Sequence, residues 1–259
     1  MKDDTCFGVI GGCWNADVSN SPADDARLGG DWCDAFATSD DKIALTIGDV
    51  VGHGESAAGT MEIMRETIFL AMHDSADPST VLSTANSAAW ARGRVMVTAI
   101  AAILDVRLRT LTFANAGHPP PLVMSADGHT FLAHDLADPP LGLLAKHRCA
   151  SYAVAVPSDA LIVLYTDGIT EHNRNARRGE MELVEGCRLA YGLRASDSAN
   201  AIAQYVFQKG RGCDDAALIA VRTTVGPSSH QICIGAQGLR RSAHRRLLTR
   251  KAERESICI

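Results

Sequence analysis

At 259 residues, 46% of them hydrophobic and 21% charged, the chain has enough apolar material for one sizeable buried core and too much for a disordered or fibrous protein. The net charge of −5 hides an uneven distribution. From Ser228 onward seven Lys/Arg stand against two Glu, so the preceding body carries about −10, which argues against nucleic acid as the main partner and suits cation binding. The eight cysteines form no CxxC pair, the opening Met1-Lys2-Asp3-Asp4 is acidic with no apolar run behind it, and no stretch approaches the ~20 apolar residues of a membrane span; reduced, structural thiols in a cytoplasmic protein without a leader or transmembrane segment are the reading that follows.

Residues 5–12 read as a first strand, and the polar, turn-rich 14–28 as a loop. Gly29-Gly30-Asp31-Trp32-Cys33-Asp34 leads into a short strand at 35–38, and Ser39-Asp40-Asp41-Lys42 reads as a hairpin turn. From Ile43 to Asp49, Ile43, Leu45 and Ile47 share one face and Ala44 and Thr46 the other, the period of a half-buried strand. Gly48-Asp49-Val50-Val51-Gly52-His53-Gly54 then turns into a helix of about five turns whose Ala57, Met61, Met64, Ile68 and Met72 fall on one face. The methionines read as core filler. Pro78 opens a second helix ending near Arg92-Gly93.

Three strands are expected at 95–105, 110–114 and 121–124, and a strand pair at 150–156 and 160–166 joined by Pro157-Ser158-Asp159. Leu161-Ile162-Val163-Leu164-Tyr165 is apolar throughout, as for a central strand covered on both faces. Helices at 180–191 and 197–209 and a last strand at 216–222 complete the body. The pattern predicts an antiparallel α+β fold with helices packed outside the sheets and no internal repeat. The division is a folded domain over 1–226 and a basic tail over 227–259.

Asp49 and Asp167 end strands, and Asp214-Asp215 begins one; were the last strand antiparallel to the other two, these carboxylates would meet at one sheet edge. Gly30 and Gly168, beside aspartates, suggest tight turns. Converging carboxylates repel one another unless a cation joins them, and all-oxygen donors favour Mg²⁺ or Mn²⁺; the scattered His and Cys show no zinc spacing. A single Asp-Gly pair is more often a turn than a ligand; repetition at strand ends carries the argument.

Seven segments in order strengthen it: GGDWCD (29–34), GDVVGHG (48–54), VTAIAAILD (97–105), NAGHPPPLV (115–123), PPLGLL (139–144), LYTDGITE (164–171) and DDAALIAVR (214–222). Over roughly residues 5–223 the chain resembles the SpoIIE-like bacterial serine/threonine phosphatases, the metal-dependent relatives of the type 2C protein phosphatases. The resemblance implies a β-sandwich of two antiparallel sheets flanked by helices in four α-β-β-α layers. It implies two Mn²⁺ or Mg²⁺ ions held by Asp31, Asp49 as the bridge, the Val50 carbonyl, Asp167 and Asp214, with Asp215 the alternative to Asp214. It implies hydrolysis of phosphoserine or phosphothreonine in a protein by metal-activated water, with an anti-sigma-factor antagonist in a partner-switching pathway as the type of substrate. The rival from another class is a phosphatase-fold module that binds a phosphoprotein without hydrolysing it, against which the intact aspartate set speaks. Action on a small phosphorylated metabolite is disfavoured, because no small-ligand motif is present.

Secondary candidates are weighed down by their settings. His53 as a general acid competes with a role in the turn into the helix, His118 with a loop-shaping role, Arg27 as a phosphate ligand with plain solvation, and Glu171 as a water-orienting group with a turn cap. GGD here lacks the Glu/Asp-Phe that follows it in diguanylate cyclases. The chain departs from the family pattern at Cys33, at Val51 and at Ala216-Ala217, none of which removes a ligand. The arginines at 240, 241, 245, 246, 250 and 254 make the tail either a basic helix for a partner or acidic surface, or a solvated end. A homodimer is left open.

Overall fold

The computed structural model describes residues 7–11, 14–21, 29–39, 41–193, 197–209, 214–223 and 233–234. Two antiparallel sheets stack face to face. One, of seven strands, runs β12-β1-β2-β11-β10-β7-β8, from β12 (Cys233–Ile234), β1 (Phe7–Gly11), β2 (Trp14–Ser21), β11 (Ala216–Thr223), β10 (Leu161–Tyr165), β7 (Leu122–Met124) and β8 (Thr130–Leu132). The other runs β3-β4-β5-β6-β9, from β3 (Asp31–Ser39), β4 (Lys42–Val50), β5 (Val97–Asp105), β6 (Thr110–Ala116) and β9 (Tyr152–Ala155). Helices α1 (Gly54–Asp74) and α2 (Pro78–Ala91) cover the five-stranded sheet, and α3 (Asp167–Glu171), α4 (Ala176–Gly192) and α5 (Ser198–Val206) cover the seven-stranded one. This is the expected α-β-β-α order, and no helix among the described residues is long and apolar enough to cross a membrane.

Alternation along the strands builds the layers. Ile43, Leu45 and Ile47 of β4 enter the core between the sheets, while Ala44 and Val50 join α1 and α2 on the outer face. On β10, Ile162 and Leu164 enter the same inter-sheet core, and Leu161, Val163 and Tyr165 meet α4 and α5. That strand is buried at every residue, as its all-apolar run requires. Helix α1 buries Ala57, Ala58, Met64, Ile68 and Met72. Asp77 caps α2 by accepting from the Ser79 and Thr80 amides ahead of Pro78.

Three expectations are corrected. Residues 14–21 form strand β2, paired along its whole length with β11, where a loop was expected. Its Ala16 and Val18 face the core, and its polar face lies under α5, whose first amide, Ser198 N, donates to Asp17 Oδ2 at 2.9 Å. The segments 150–156 and 160–166 are not partners: β9 pairs with β6, and β10 with β7 and β11, so the Pro157-Ser158-Asp159 connection crosses between sheets. Asp167, expected at a strand end with a tight turn at Gly168, is the first residue of helix α3, and Thr166, expected in the strand, is its N-cap. Arg27 and most of the basic tail lie outside the described residues.

Candidate metal centre

The site grows from a hairpin. In the β3–β4 pair Asp31 and Asp49 are direct Cα partners, and Asp49 in turn faces Thr98 on β5. Like charges directly opposite on a sheet are destabilising without compensation. Trp32, the residue after Asp31, is fully buried and donates Nε1–H to Thr46 Oγ1 at 3.1 Å. Its ring lies so close over Gly48 that a Cβ there would sit 2.1 Å from it. Gly48 is thus the gap into which the tryptophan packs, and Gly52 (φ 123°) and Gly54 (φ 75°) are the turn residues that lead into α1.

The second sheet contributes through β10, α3 and β11. Thr166, buried between them, donates its hydroxyl to Asp31 Oδ2 at 2.7 Å and accepts from Ala217 N at 2.9 Å. Asp167 follows as the first residue of α3. Because β10 and β11 are antiparallel, Asp215, just ahead of β11, comes back to the same end, and its Oδ2 accepts from Gly30 N at 2.9 Å. Asp214 is exposed, with Oδ1 accepting from the amide of Asp215. The structure therefore gathers Asp31, Asp49, Asp167, Asp214 and Asp215 at one end of the sandwich, with the two members of the Asp214–Asp215 pair differently engaged.

Gly30 and Gly168 serve close approach rather than turns. A Cβ on Gly30 would lie 2.9 Å from the Val50 carbonyl oxygen and 3.2 Å from Asp49 Oδ1, and one on Gly168 would lie 1.9 Å from the Asp215 carbonyl oxygen. The bare Gly30 backbone thus leaves room beside the Val50 carbonyl and the Asp49 carboxylate. Val50 itself is buried, its amide donating to Gly30 O at 3.3 Å.

The charges show the strain of this convergence. Burial, with the neighbouring Asp49 charge adding, holds Asp31 well above the usual carboxylate range. Asp49 is raised by burial and by the charges of Asp214 and Asp215, against a hydrogen bond from Asp31 that favours its charged form. Asp167 is pushed up to about 6 by burial, then by Asp49 and Asp214. No described salt bridge neutralises Asp31, Asp49 or Asp167. Hard oxygen donors, excess negative charge and a carbonyl beside them fit divalent Mg²⁺ or Mn²⁺. Among the described residues no three of these carboxylates bring oxygens within 4.8 Å of one another, the spread of a basin wider than one tight three-ligand cage.

The secondary candidates lie at the margins of the set, Glu171 adding its charge to the rise of Asp167. His53 is the exposed N-cap residue of α1, with no side-chain cap hydrogen bond. His118 is buried, its Nδ1 2.8 Å from Thr98 Oγ1 and its backbone bracketed by the Asn115 side chain. Burial pushes its pKa down to about 3, so the ring is neutral and shapes the loop. Glu171 is exposed at the end of α3. Cys33 enters the inter-sheet core, and the departure at Ala217 is harmless to Thr166, which uses the backbone there. Thr166 is the site residue that sequence reasoning missed; its only sequence signal is its place before Asp167.

The model of the Stage II sporulation protein E (SpoIIE) family matches residues 39–224. The chain is 25% identical to phosphoserine phosphatase RsbP of Bacillus subtilis over 152 residues, 56% of this chain and 38% of that protein. It spans about a third to two fifths of the length of the curated relatives it matches. In structure it resembles the RsbU and RsbW domains of a Mycobacterium tuberculosis protein (TM-score 0.75, 24% identity, covering 88% of this chain and 65% of that one). It also resembles the PP2C phosphatase domain of Bacillus subtilis SpoIIE solved with a fragment of its regulatory domain (TM-score 0.70, 16% identity, 85% and 66%). A catalytic domain of the serine/threonine phosphatase PstP, solved with two manganese ions, shares the fold at TM-score 0.58 and 14% identity, over 82% of this chain and 99% of that one. A two-sheet α-β-β-α sandwich and a family match across most of its length make this chain a member of the SpoIIE family, with the fold of the PP2C-type phosphatases.

Proposed function

We propose that this chain is a metal-dependent protein phosphatase that hydrolyses phosphoserine or phosphothreonine in a protein. The observation that carries the reading is the direct pairing of Asp31 with Asp49, joined through Thr166 to the strand end that bears Asp167. Asp31, Asp49, Asp167, Asp214 and the Val50 carbonyl would be the donors for two Mn²⁺ or Mg²⁺ ions, and the two manganese ions of the PstP domain support that number. Bound there, such ions supply Lewis acidity toward the phosphoryl oxygens and lower the pKa of water to give a nucleophile at neutral pH.

The chain's own residues position and exclude. Thr166 fixes one oxygen of Asp31, and the Gly30 amide fixes Asp215. The described cysteines are buried thiols whose pKa values burial has raised, and His118 is neutral and enclosed, so neither supplies a covalent nucleophile. Direct attack by water then forms the new oxygen–phosphorus bond as the ester bond breaks and the seryl or threonyl alcohol leaves with a proton. Asp49 is only half-buried and Asp214 is exposed. An open acidic edge of this kind suits a protein segment better than an enclosed metabolite.

The names of the relatives, phosphoserine phosphatases RsbP and RsbU, support phosphoserine as the group hydrolysed, and an anti-sigma-factor antagonist is the type of protein substrate that the family resemblance implies. The test is Mn²⁺-dependent hydrolysis of p-nitrophenyl phosphate and of a phosphoserine protein, abolished by EDTA and by Asp49→Asn. Turnover without metal, or an unaffected Asp49→Asn protein, would refute the mechanism. Tight phosphoprotein binding with no phosphate release in Mn²⁺ would identify a binding module instead.

A further inference from the structure

The described residues hold one trio of His, Cys, Asp or Glu side chains whose ligand atoms all lie within 4.8 Å of one another, and it is not among the aspartates at the sheet edge. It is Asp138, His147 and Cys149. His147 Nε2 stands 3.0 Å from Asp138 Oδ1. The loop that carries them is fastened at both ends. Asp138 N donates to Asn115 O on β6 at 2.8 Å, and the Cys149 carbonyl accepts from Ser79 Oγ at the start of α2 at 2.6 Å. In between, Asn86 of α2 accepts from Gly142 N and donates to Leu144 O, both at 2.9 Å. Three donor side chains are thereby held together by backbone anchors independent of any ion.

We propose that Asp138, His147 and Cys149 form a second cation site, built for a zinc-class ion and separate from the hard-ion basin. A carboxylate, an imidazole and a thiolate are the mixed donor set that zinc accepts and that Mg²⁺ and Mn²⁺ compete for poorly. The spacing matches no zinc-finger pattern, so only the fold brings the three together. Cys149 forms the floor at 1% exposure, whereas the His147 and Asp138 side chains are 23% and 18% exposed. Three protein ligands with one side toward solvent leave a fourth position for water, the arrangement of an exchangeable site rather than a closed structural one.

The proton balance is definite. Without metal, burial and then the Asp138 charge push the Cys149 thiol up to about 12, so it is protonated. Binding would displace that proton from sulfur and replace the His147–Asp138 hydrogen bond with two bonds to the ion, the Nε2 proton that the Asp138 carboxylate accepts leaving that nitrogen. At least one proton is released per ion, and affinity rises with pH.

The experiment uses the full chain, freed of metal and held in saturating Mg²⁺, titrated with Co²⁺ and then Zn²⁺. The expected result is a near-ultraviolet thiolate-to-cobalt charge-transfer band that saturates at one ion per chain and is displaced by Zn²⁺. Cys149→Ala should lose the band. His147→Gln, at a partly exposed position that folding tolerates, should weaken Zn²⁺ binding at least about tenfold, the loss that even outer partners of a metal site produce. Asp49→Asn should leave the band intact, which separates this site from the phosphatase reading. No band, or one that persists in both Cys149→Ala and His147→Gln, would overturn the proposal and leave Asp138–His147 as a hydrogen bond that staples the loop.

Discussion

Thr166 donates its hydroxyl to Asp31 Oδ2 at 2.7 Å, joining two residues 135 positions apart and two different sheets. Thr166 Oγ1 itself accepts from Ala217 N, so one hydroxyl ties β3, the end of β10 and β11 together beneath the acidic edge. Thr166→Val keeps the shape and removes the donor. It leaves Asp31 short of a buried partner, at a cost of about 1–3 kcal/mol, and frees its carboxylate to rotate. The expected outcome is a folded protein with a lower melting temperature and a Mn²⁺ half-saturation about 10–100-fold higher, as for loss of an outer partner of a metal ligand. Thr166→Ser should recover most of it. A Mn²⁺ titration of p-nitrophenyl phosphate hydrolysis reads the effect, and an unchanged half-saturation in Thr166→Val would remove Thr166 from the site.

Gly30→Ala tests the other side of the same edge. The new methyl would lie 2.9 Å from the Val50 carbonyl oxygen and 3.2 Å from Asp49 Oδ1, tighter than ordinary contact. Both atoms belong to the proposed donor set, and the backbone or the carboxylate must shift by a few tenths of an ångström. We expect a modest stability loss, on the order of 1–3 kcal/mol, with a much larger fall in Mn²⁺ affinity measured by calorimetry. A melting temperature that drops while Mn²⁺ affinity stays at the wild-type value would place the crowding away from the ions.

The convergence of the aspartates was legible in the sequence because Asp31, Asp49 and Asp167 sit at strand boundaries beside glycine and Asp214-Asp215 precedes a strand, and strand boundaries follow from local alternation. The roles of those glycines were not. Gly48 is dictated by the Trp32 ring and Gly168 by the Asp215 carbonyl, contacts between segments that no local pattern reports. Strand β2 escaped notice for the same reason. Its Asp17 and Ser19 look like loop residues until α5 is in place, when the Ser198 amide gives Asp17 a partner. The short link at Pro157-Ser158-Asp159 resembled a hairpin because connection length carries no information about which sheet the next strand joins; the pairing of β9 with β6 decides that.

Asp214 and Asp215 make distinguishable predictions. Asp215 Oδ2 already accepts from Gly30 N, and a Cβ on Gly29 would lie 2.6 Å from the same oxygen, so this carboxylate supports the entry to β3. Asp214 is exposed, its Oδ1 bonded only locally to the next amide. Asp214→Asn should therefore leave the melting temperature of the metal-free protein unchanged or slightly raised while reducing Mn²⁺-dependent turnover by at least about tenfold. Asp215→Asn should lower the melting temperature first. The reverse pattern would make Asp215 the ligand and Asp214 the bystander.

The raised pKa values give a pH dependence whose sign can be worked out. Asp31, Asp49 and Asp167 hold protons more tightly in the folded chain than at their ordinary value of 3.8, with Asp167 at about 6. Between those limits the folded state binds more protons than the unfolded one, so stability is full below about pH 4 and is lost as pH rises through the folded values. Asp17, pushed up to about 6 by burial, adds a slope of the same sign, but it lies under α5 against Ser198 and no ion at the site relieves it. A bound divalent cation favours the charged carboxylates and removes only the site's share. The melting temperature of EDTA-treated protein should thus fall between about pH 4 and pH 7, and Mn²⁺ should raise it by an increment that grows over the same range. Asp49→Asn should flatten the metal-free slope and shrink the increment. Scanning calorimetry with and without Mn²⁺ checks this: two parallel curves across that range would mean that the converging carboxylates are not where the ions bind.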